Sequence, residues 1–193
     1  MTLPKLVKDV APPSDRELVA AMARGDEAAL VELHQRHRAA VRGLVLRLLS
    51  GAGDGDDCLQ EVFLVAWRRA RDFRSDGAVR PWLFGIAVNV VRTQRRSIAR
   101  RNLLARVIGR EAPEISPPPD RVVMARQTVD RLEAAVARLP AKQREAFTMV
   151  DVEGLSSVEA ARALGVPAGT LGRRLHQARK RLLVALEGEF DEA

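Results

Sequence analysis

Three groups of side chains in this sequence could do chemistry, and in each the chemistry is recognition rather than bond-making. Between Leu155 and Arg181, the residues Thr170, Arg173, Arg174, His176, Gln177 and Lys180 project from one side of a periodic segment. Its other side is Leu171, Leu175, Ala178 and Leu182. Cations and amides at helical spacing suit the base edges and phosphates of duplex DNA. A second group, Asn89, Arg92, Arg95 and Arg96, continued by Arg100 and Arg101, lies opposite the apolar positions Trp82, Ile86, Val90 and Val91. Guanidinium groups pair with phosphate and stack on bases, and asparagine can read a base edge. Phe73, Trp82 and Phe84 lie beside this charge, a combination suited to unstacked single strands. The competing reading makes the arginines a solvated face and the aromatics core, and for Trp82 and Phe84 that reading is favoured.

The third group is acidic: Asp54, Asp56, Asp57 and Glu61 cluster in a basic chain. Carboxylates in the first turn of a helix are favoured by its dipole, which accounts for Asp56 or Asp57. It does not account for Gln60 and Glu61, whose short polar face suits contact with another protein. Catalysis finds no support. Of the histidines His34, His37 and His176, the first two are three apart, but no second pair of ligands stands nearby. There is no glycine-rich phosphate loop and no serine or cysteine in a nucleophile context. The expectation is a non-enzyme with no metal and no cofactor.

Helices must position these groups. Ser156 with Glu159 makes a capping box, Ala160, Ala161 and Leu164 an inner face, and Gly165 the left-handed turn that ends the helix. Pro167 opens the next, basic helix. A short helix, a glycine turn and a basic second helix form the helix-turn-helix pattern. An ordinary helical hairpin is the bland alternative. Upstream, Ser14 and Glu17 form another capping box, and Gly25 ends that helix. Asp26 caps a long helix with Leu30, Leu33, Val41, Leu44, Val45 and Leu48 on one face. A loop at Ser50–Gly55 precedes a third helix, with Leu59, Val62, Phe63, Ala66, Trp67 and Ala70 inward. A break over Phe73–Val79 precedes a fourth, with Pro81 in its first turn.

Pro113 and the triplet Pro117–Pro119 forbid a helix, so residues 102–121 read as a linker. Beyond it Val122, Val129, Leu132, Val136 and Leu139 repeat at helical spacing, and a further helix from Pro140 carries Phe147 and Val150 inward to Gly154. The expected fold is all-α: a tail over 1–13, a four-helix domain over 14–101, the linker, a helix-turn-helix domain over 122–188, and a tail over 189–193.

Composition agrees. The 193 residues are 47% hydrophobic, enough for real cores, and carry a net charge of +7 that suggests a polyanionic partner. Arginine outnumbers lysine 28 to 4, so genome composition explains part of that charge. The lone Cys58 permits no internal disulfide. The first residues lack the apolar core of a signal peptide, and no charge-free run reaches the length of a membrane span. A soluble, cytoplasmic protein is expected.

Four stretches together resemble bacterial RNA polymerase sigma factors of the extracytoplasmic-function group. GDEAALVELHQRH (Gly25–His37) is similar to the group's opening helices, and DGDDCLQEVFLVAWRRARDFR (Asp54–Arg74) to its D-x-x-D-x-x-Q-E-V-F-x-x-A-W pattern. VRPWLFGIAVNVVRTQRR (Val79–Arg96) resembles its promoter-melting helix, and Leu139–Leu182 its C-terminal helix-turn-helix domain. The resemblance implies that Asp54, Asp57, Gln60 and Glu61 face the clamp helices of the largest subunit of core RNA polymerase. It implies a second contact, with the polymerase flap. Phe73, Arg74, Ser75, Asp76 and Trp82, in and beside the loop to Val79, would capture a flipped base of the promoter −10 element. Asn89, Arg92, Arg95 and Arg96 would hold the adjacent promoter DNA. Thr170, Arg173, Arg174, His176, Gln177 and Lys180 would lie in or beside the major groove of the −35 element. The linker would run toward the active-site channel and RNA exit path. It further implies control by an anti-sigma factor, which could hold the protein at the membrane without any insertion of its own.

Gly172 and Arg173 stand where the group usually has lysine and serine, and Gly172 costs about 1 kcal/mol of helix propensity relative to alanine. Cys58 stands where the group often has an aliphatic residue. A stand-alone dimeric DNA-binding regulator would need a dimer seam, which the sequence does not offer. A purely protein-binding helical adaptor has no use for two basic faces.

Overall fold

A computed structural model describes the backbone of residues 11–74, 77–107 and 124–187, and the chain there is helical throughout, with no strand among the described residues. The described residues form eight α-helices: α1 (Asp15–Ala23), α2 (Glu27–Leu49), α3 (Gly55–Arg69), α4 (Val79–Val107), α5 (Met124–Arg138), α6 (Ala141–Phe147), α7 (Ser157–Leu164) and α8 (Ala168–Glu187). A 3₁₀ turn over Ala70–Asp72 follows α3, and a π turn over Thr148–Val152 follows α6.

Local sequence accounts for most of the boundaries. Ser14 and Ser156 both close capping boxes, each hydroxyl accepting from the N–H three residues on while Glu17 or Glu159 accepts from the cap N–H. Those hydrogen bonds hold both glutamates below the usual carboxylate range. Asp26 caps α2 by accepting from Ala28 and Ala29. Gly165 ends α7 at φ 66°, ψ 39°, a left-handed conformation that glycine adopts without penalty. α4 continues to Val107, past the 101 boundary expected for its domain, since Asn102–Val107 contain no glycine or proline to stop it. The prolines from Pro113 to Pro119 and the two tails beyond residues 11 and 187 lie outside the described residues.

Helices α1 to α4 form one bundle, α2, α3 and α4 each touching the other two. Its interior is Leu33, Val41, Leu44, Val45, Val62, Ala66, Leu83, Phe84 and Ala87, all fully buried. Helices α5 to α8 form a smaller unit whose own cluster is Ala135, Val136, Leu139, Ala178 and Leu182, with Phe147 against it. Val129 and Leu132, expected inward, are instead exposed at 57% and 36%. Among the described residues it is the C-terminal end of α5, at Ala135, Val136 and Leu139, that packs against Ala178 and Leu182 of α8.

The two units are not separate bodies. Met149, Leu155, Ala160, Ala161, Leu164 and Leu171 of the C-terminal unit are buried in the same cluster as the core of the N-terminal bundle. Helices α4 and α7 pack tightly at Gly85, where an added Cβ would come within 2.8 Å of the Ala163 carbonyl oxygen. A larger residue there would drive the two helices apart.

Candidate nucleic-acid and protein interface

The helix-turn-helix is α7, the Gly165 turn and α8. Leu171, Leu175, Ala178 and Leu182 face inward, so the opposite face of α8 is turned to solvent. Arg173, His176, Gln177 and Lys180 are exposed on it, and Thr170 and Arg174 are half-buried at its edge. Gln177 is steadied by Gln143, whose Nε2 donates to it at 3.1 Å. Arg179, which the periodicity alone did not single out, is held by Asp151 at 2.6 Å and braces α8 on the π turn. Gly172 leaves open space where a Cβ would stand, so its side of the recognition helix is bare.

The acidic group sits on α3 as a surface. Asp54 is the N-cap and accepts from the N–H groups of Asp56 and Asp57 at 2.8 and 3.2 Å. The cap is therefore Asp54, while Asp56 pairs with Arg42 of α2 at 2.9 Å. Asp57 and Gln60 are exposed and make no hydrogen bond through their side chains to other described residues, and Glu61 is met by Arg68 at 2.6 Å. A groove of about 660 Å³ between α3 and α4 is lined by Asp57, Glu61, Arg68, Asn89, Val90 and Gln94. The structure thus brings Asn89 to the acidic group. Cys58 lies buried at this groove, its thiol pushed up by burial and by Asp54 and Asp57, so it is a packing residue rather than a reactive one.

The α4 group divides. Phe84 is fully buried, and Arg80 lies 4.9 Å over its ring. Trp82 is half-buried and tilted against Phe73 with ring centroids 5.0 Å apart, forming an aromatic pair beside the break before α4. Arg74 is exposed in that break, while Ser75 and Asp76 lie outside the described residues. Asn89 and Arg96 are exposed. Arg92 and Arg95 are not the open cations that the sequence predicts. Arg92 donates to both carboxylate oxygens of Glu145 at 2.9 and 2.6 Å, and Arg95 donates to the Leu48 carbonyl at 3.1 Å. Neither helical periodicity nor composition could show this, because the partner comes from a helix 53 positions along the chain.

The residues that sequence reasoning missed are those joining the two units. Glu153 is buried and lies between Arg47 of α2 at 3.2 Å and Arg80 of α4 at 3.0 Å. The π turn places it there: the Glu153 N–H reaches back five residues to the Thr148 carbonyl. Arg144 is 2% exposed and donates to the Ala137 carbonyl and to the Ser50 hydroxyl of the other unit. Burial and the nearby Arg95 push its guanidinium down to about 10, opposed by Glu145, so it remains charged at neutral pH. One signal was available. Glu145 stands four residues after Ala141 and four before Met149, and a charge between apolar positions on one helix line needs a partner.

His34 packs edge-on against Phe63 with centroids 4.7 Å apart, and His37 meets Asp15 at 2.6 Å. Among the described residues no three metal-ligating side chains gather. None of their helices is long and apolar enough to cross a membrane.

Comparison with known proteins follows this division of surfaces. Residues 33–101 match the family description "Sigma-70 region 2", and residues 130–182 match "Sigma-70, region 4". The chain is 37% identical over 169 residues to the ECF RNA polymerase sigma factor SigM of Mycobacterium tuberculosis, covering 88% of this chain and 83% of that one. The chain belongs to the ECF RNA polymerase sigma factors. Its fold agrees. A solved structure of CnrH with the cytosolic domain of CnrY is similar at a TM-score of 0.66 and 28% identity, over 90% of this chain and 97% of that one. The sigma factor RpoE of Bartonella quintana, solved with the anti-sigma factor NepR, is similar at a TM-score of 0.65 and 26% identity, over 81% and 97%. In this sigma factor the acidic groove lies within the region 2 match, and the exposed face of α8 lies within the region 4 match.

Proposed function

We propose that this sigma factor works in the cytoplasm, docking on core RNA polymerase through Asp54, Asp57, Gln60 and Glu61. From there it reads a promoter at two places. The exposure of Asp57 and Gln60 supports the first part, since an exposed acidic helix face in a basic protein suits contact with another protein. The aromatic pair Phe73–Trp82 with Arg74 forms the base-capturing edge at the −10 element, together with Asn89, Arg96 and the α4 arginines. Thr170, Arg173, Arg174, His176, Gln177 and Lys180 read the −35 element. The domain division at 14–101 and 122–188 belongs to the same reading. No catalytic step is assigned to the chain itself.

The observation that carries this reading is α8: its apolar side is fully committed to the core, and its cationic side is held outward on a turn built for it. Placed in the major groove, such a helix supplies phosphate contacts for affinity and side chains at base edges for sequence. Each unit alone makes a small contact, and the polymerase raises the effective concentration of one for its site once the other is bound. Regulation by an anti-sigma protein is part of the proposal. RpoE of Bartonella quintana, a similar protein, was solved in complex with an anti-sigma factor.

The test is transcription from total genomic DNA of the source organism by core polymerase with and without this chain, with RNA 5′ ends sequenced. A discrete set of starts sharing two upstream elements is the expected result. The same scattered starts as core polymerase alone would refute it.

A further inference from the structure

We propose that Gln143 of α6 sets which base Gln177 reads, by engaging the Gln177 amide oxygen and leaving its amino group as the end that meets DNA. Gln143 is then a positioning residue, and the base edge it selects is that of guanine. This rests on the reading that α8 lies in the major groove of the −35 element.

Gln177 is exposed on the solvent face of α8, and Gln143 is half-buried on α6, which packs along α8. The Gln143 Nε2 donates to the Gln177 Oε1 at 3.1 Å, across 34 positions of chain. A glutamine amide has two ends, an oxygen that accepts and an NH₂ that donates twice. Left free, it matches adenine, whose N6–H meets the oxygen and whose N7 meets the amino group. Held by Gln143, the oxygen is turned toward α6 and that pairing is lost. The amino group remains, and its two N–H donors match guanine, whose O6 and N7 both accept. Thymine offers O4 alone, and cytosine offers a donor.

The surroundings decide which way the Gln143 amide lies. Its Oε1 is buried without a hydrogen-bond partner among the described residues. Arg174 stands three residues before Gln177, on the same line of α8, and its Nη1 is likewise buried without a partner there. A guanidinium on that side favours an inward oxygen and opposes an inward amino group. The reverse pairing, with Gln143 accepting and Gln177 donating, would bury the Gln143 amino group instead. The base of Gln143 is also fixed. Its backbone N–H donates to the Pro140 carbonyl at 2.8 Å, and its neighbour Arg144 is buried and donates to the Ala137 carbonyl at 2.6 Å. These contacts all lie within the C-terminal unit, so the glutamine pair travels with the recognition helix.

The experiment uses holoenzyme made with the full chain, and libraries in which each −35 position of a promoter found by genomic transcription is randomised in turn. Transcribed templates are sequenced, and the bases are ranked within each library. Gln177→Ala locates the base pair that Gln177 reads: preference is expected to fall about tenfold at one position and to hold at the others. At that position the unmodified chain is expected to favour guanine on one strand. Gln143→Met keeps the side-chain length and removes the hydrogen bond, so adenine is expected to rise to within about threefold of guanine. Gln143→Glu only accepts, so Gln177 turns its amino group inward and presents oxygen. The pair is then expected to reverse, with cytosine about tenfold over guanine on the same strand. Gln143→Lys only donates, and guanine is expected to stay first. A purely structural role for Gln143 would weaken transcription from every template and leave the ranking of bases unchanged, and that result would overturn the proposal. So would guanine kept first in Gln143→Glu, adenine first in the unmodified chain, or no position that responds to Gln177→Ala. If Gln143→Lys loses its helical signal, the two replacements closest to glutamine in size decide. An unmodified holoenzyme that selects no −35 sequence would remove the promoter reading and this proposal with it. A selected −35 element whose ranking ignores Gln143 would remove the proposal alone.

Discussion

Arg92 of α4 and Glu145 of α6 form a two-point ion pair, with Nε and Nη2 donating to the two carboxylate oxygens at 2.9 and 2.6 Å. The pair links residues 53 positions apart and ties the α4 helix to the C-terminal unit. Glu145 holds the Arg92 guanidinium above its usual range in spite of burial. Removing one partner strands the other in a partly dry site. Glu145→Ala is therefore expected to cost about 1–2 kcal/mol, less than a fully buried pair because the Arg92 side chain is 29% exposed. Urea denaturation of Glu145→Ala, Arg92→Ala and the double variant gives the coupling directly. Additive losses would mean that the two residues do not interact.

The capping boxes make stability depend on acid. Glu17 and Glu159 have folded-state values below the unfolded value of 4.5, so their contribution is complete above that pH. It is lost as pH falls through the lower folded values. Asp15 behaves likewise from 3.8: burial opposes the shift, but hydrogen bonds from His37 and Arg36 outweigh it. Ser156→Ala is expected to cost about 1 kcal/mol at pH 7 and to flatten the decline in stability below pH 4.5. Thermal melts from pH 7 to 3 check both, and an unchanged acid slope would contradict the assignment.

Glu61→Lys separates folding from docking. Among the described residues Glu61 is met by Arg68 at the surface, a pair worth little to stability. The variant is expected to melt within about 0.5 kcal/mol of the parent and to fail to co-elute with core polymerase. Asp57→Lys, at an exposed position on the same groove, should behave in the same way. Normal holoenzyme assembly by both would contradict the role given to this face.

Lys180→Ala tests the recognition helix. Its side chain is exposed. Holoenzyme carrying the variant is expected to bind promoter duplex more weakly, with a salt slope shallower by about 1, the signature of one lost phosphate contact on B-DNA. An unchanged slope would place Lys180 off the DNA.

How much of this was legible in the sequence depended on distance along the chain. Ser14–Glu17, Ser156–Glu159 and Gly165 are local signals, where a few adjacent residues carry the whole argument, and the structure reproduces each. The inward stripe of α8 was legible for the same reason. Val129 and Leu132 were not, because periodicity says which residues share a face and cannot say whether a partner helix reaches that far. Arg92 and Arg95 illustrate the converse. Their helix face was correctly read as cationic, but whether a cation is open to a ligand depends on residues far away in sequence. Glu153 required a π turn to reach its place, and no local pattern marks where an extra residue will be inserted in a helix. Asp54 was grouped with the docking carboxylates, and its first duty in the fold is to cap α3.

The most direct test of the account is a hydroxyl-radical footprint of the holoenzyme on a promoter identified by genomic transcription. The account predicts two protected patches, one in duplex around the −35 element and one at the −10 element with unstacked bases beside it, both absent with core polymerase alone. A single symmetric patch made by the free protein, or the same pattern with and without it, would contradict the claim that this chain directs polymerase to promoters through two separate surfaces.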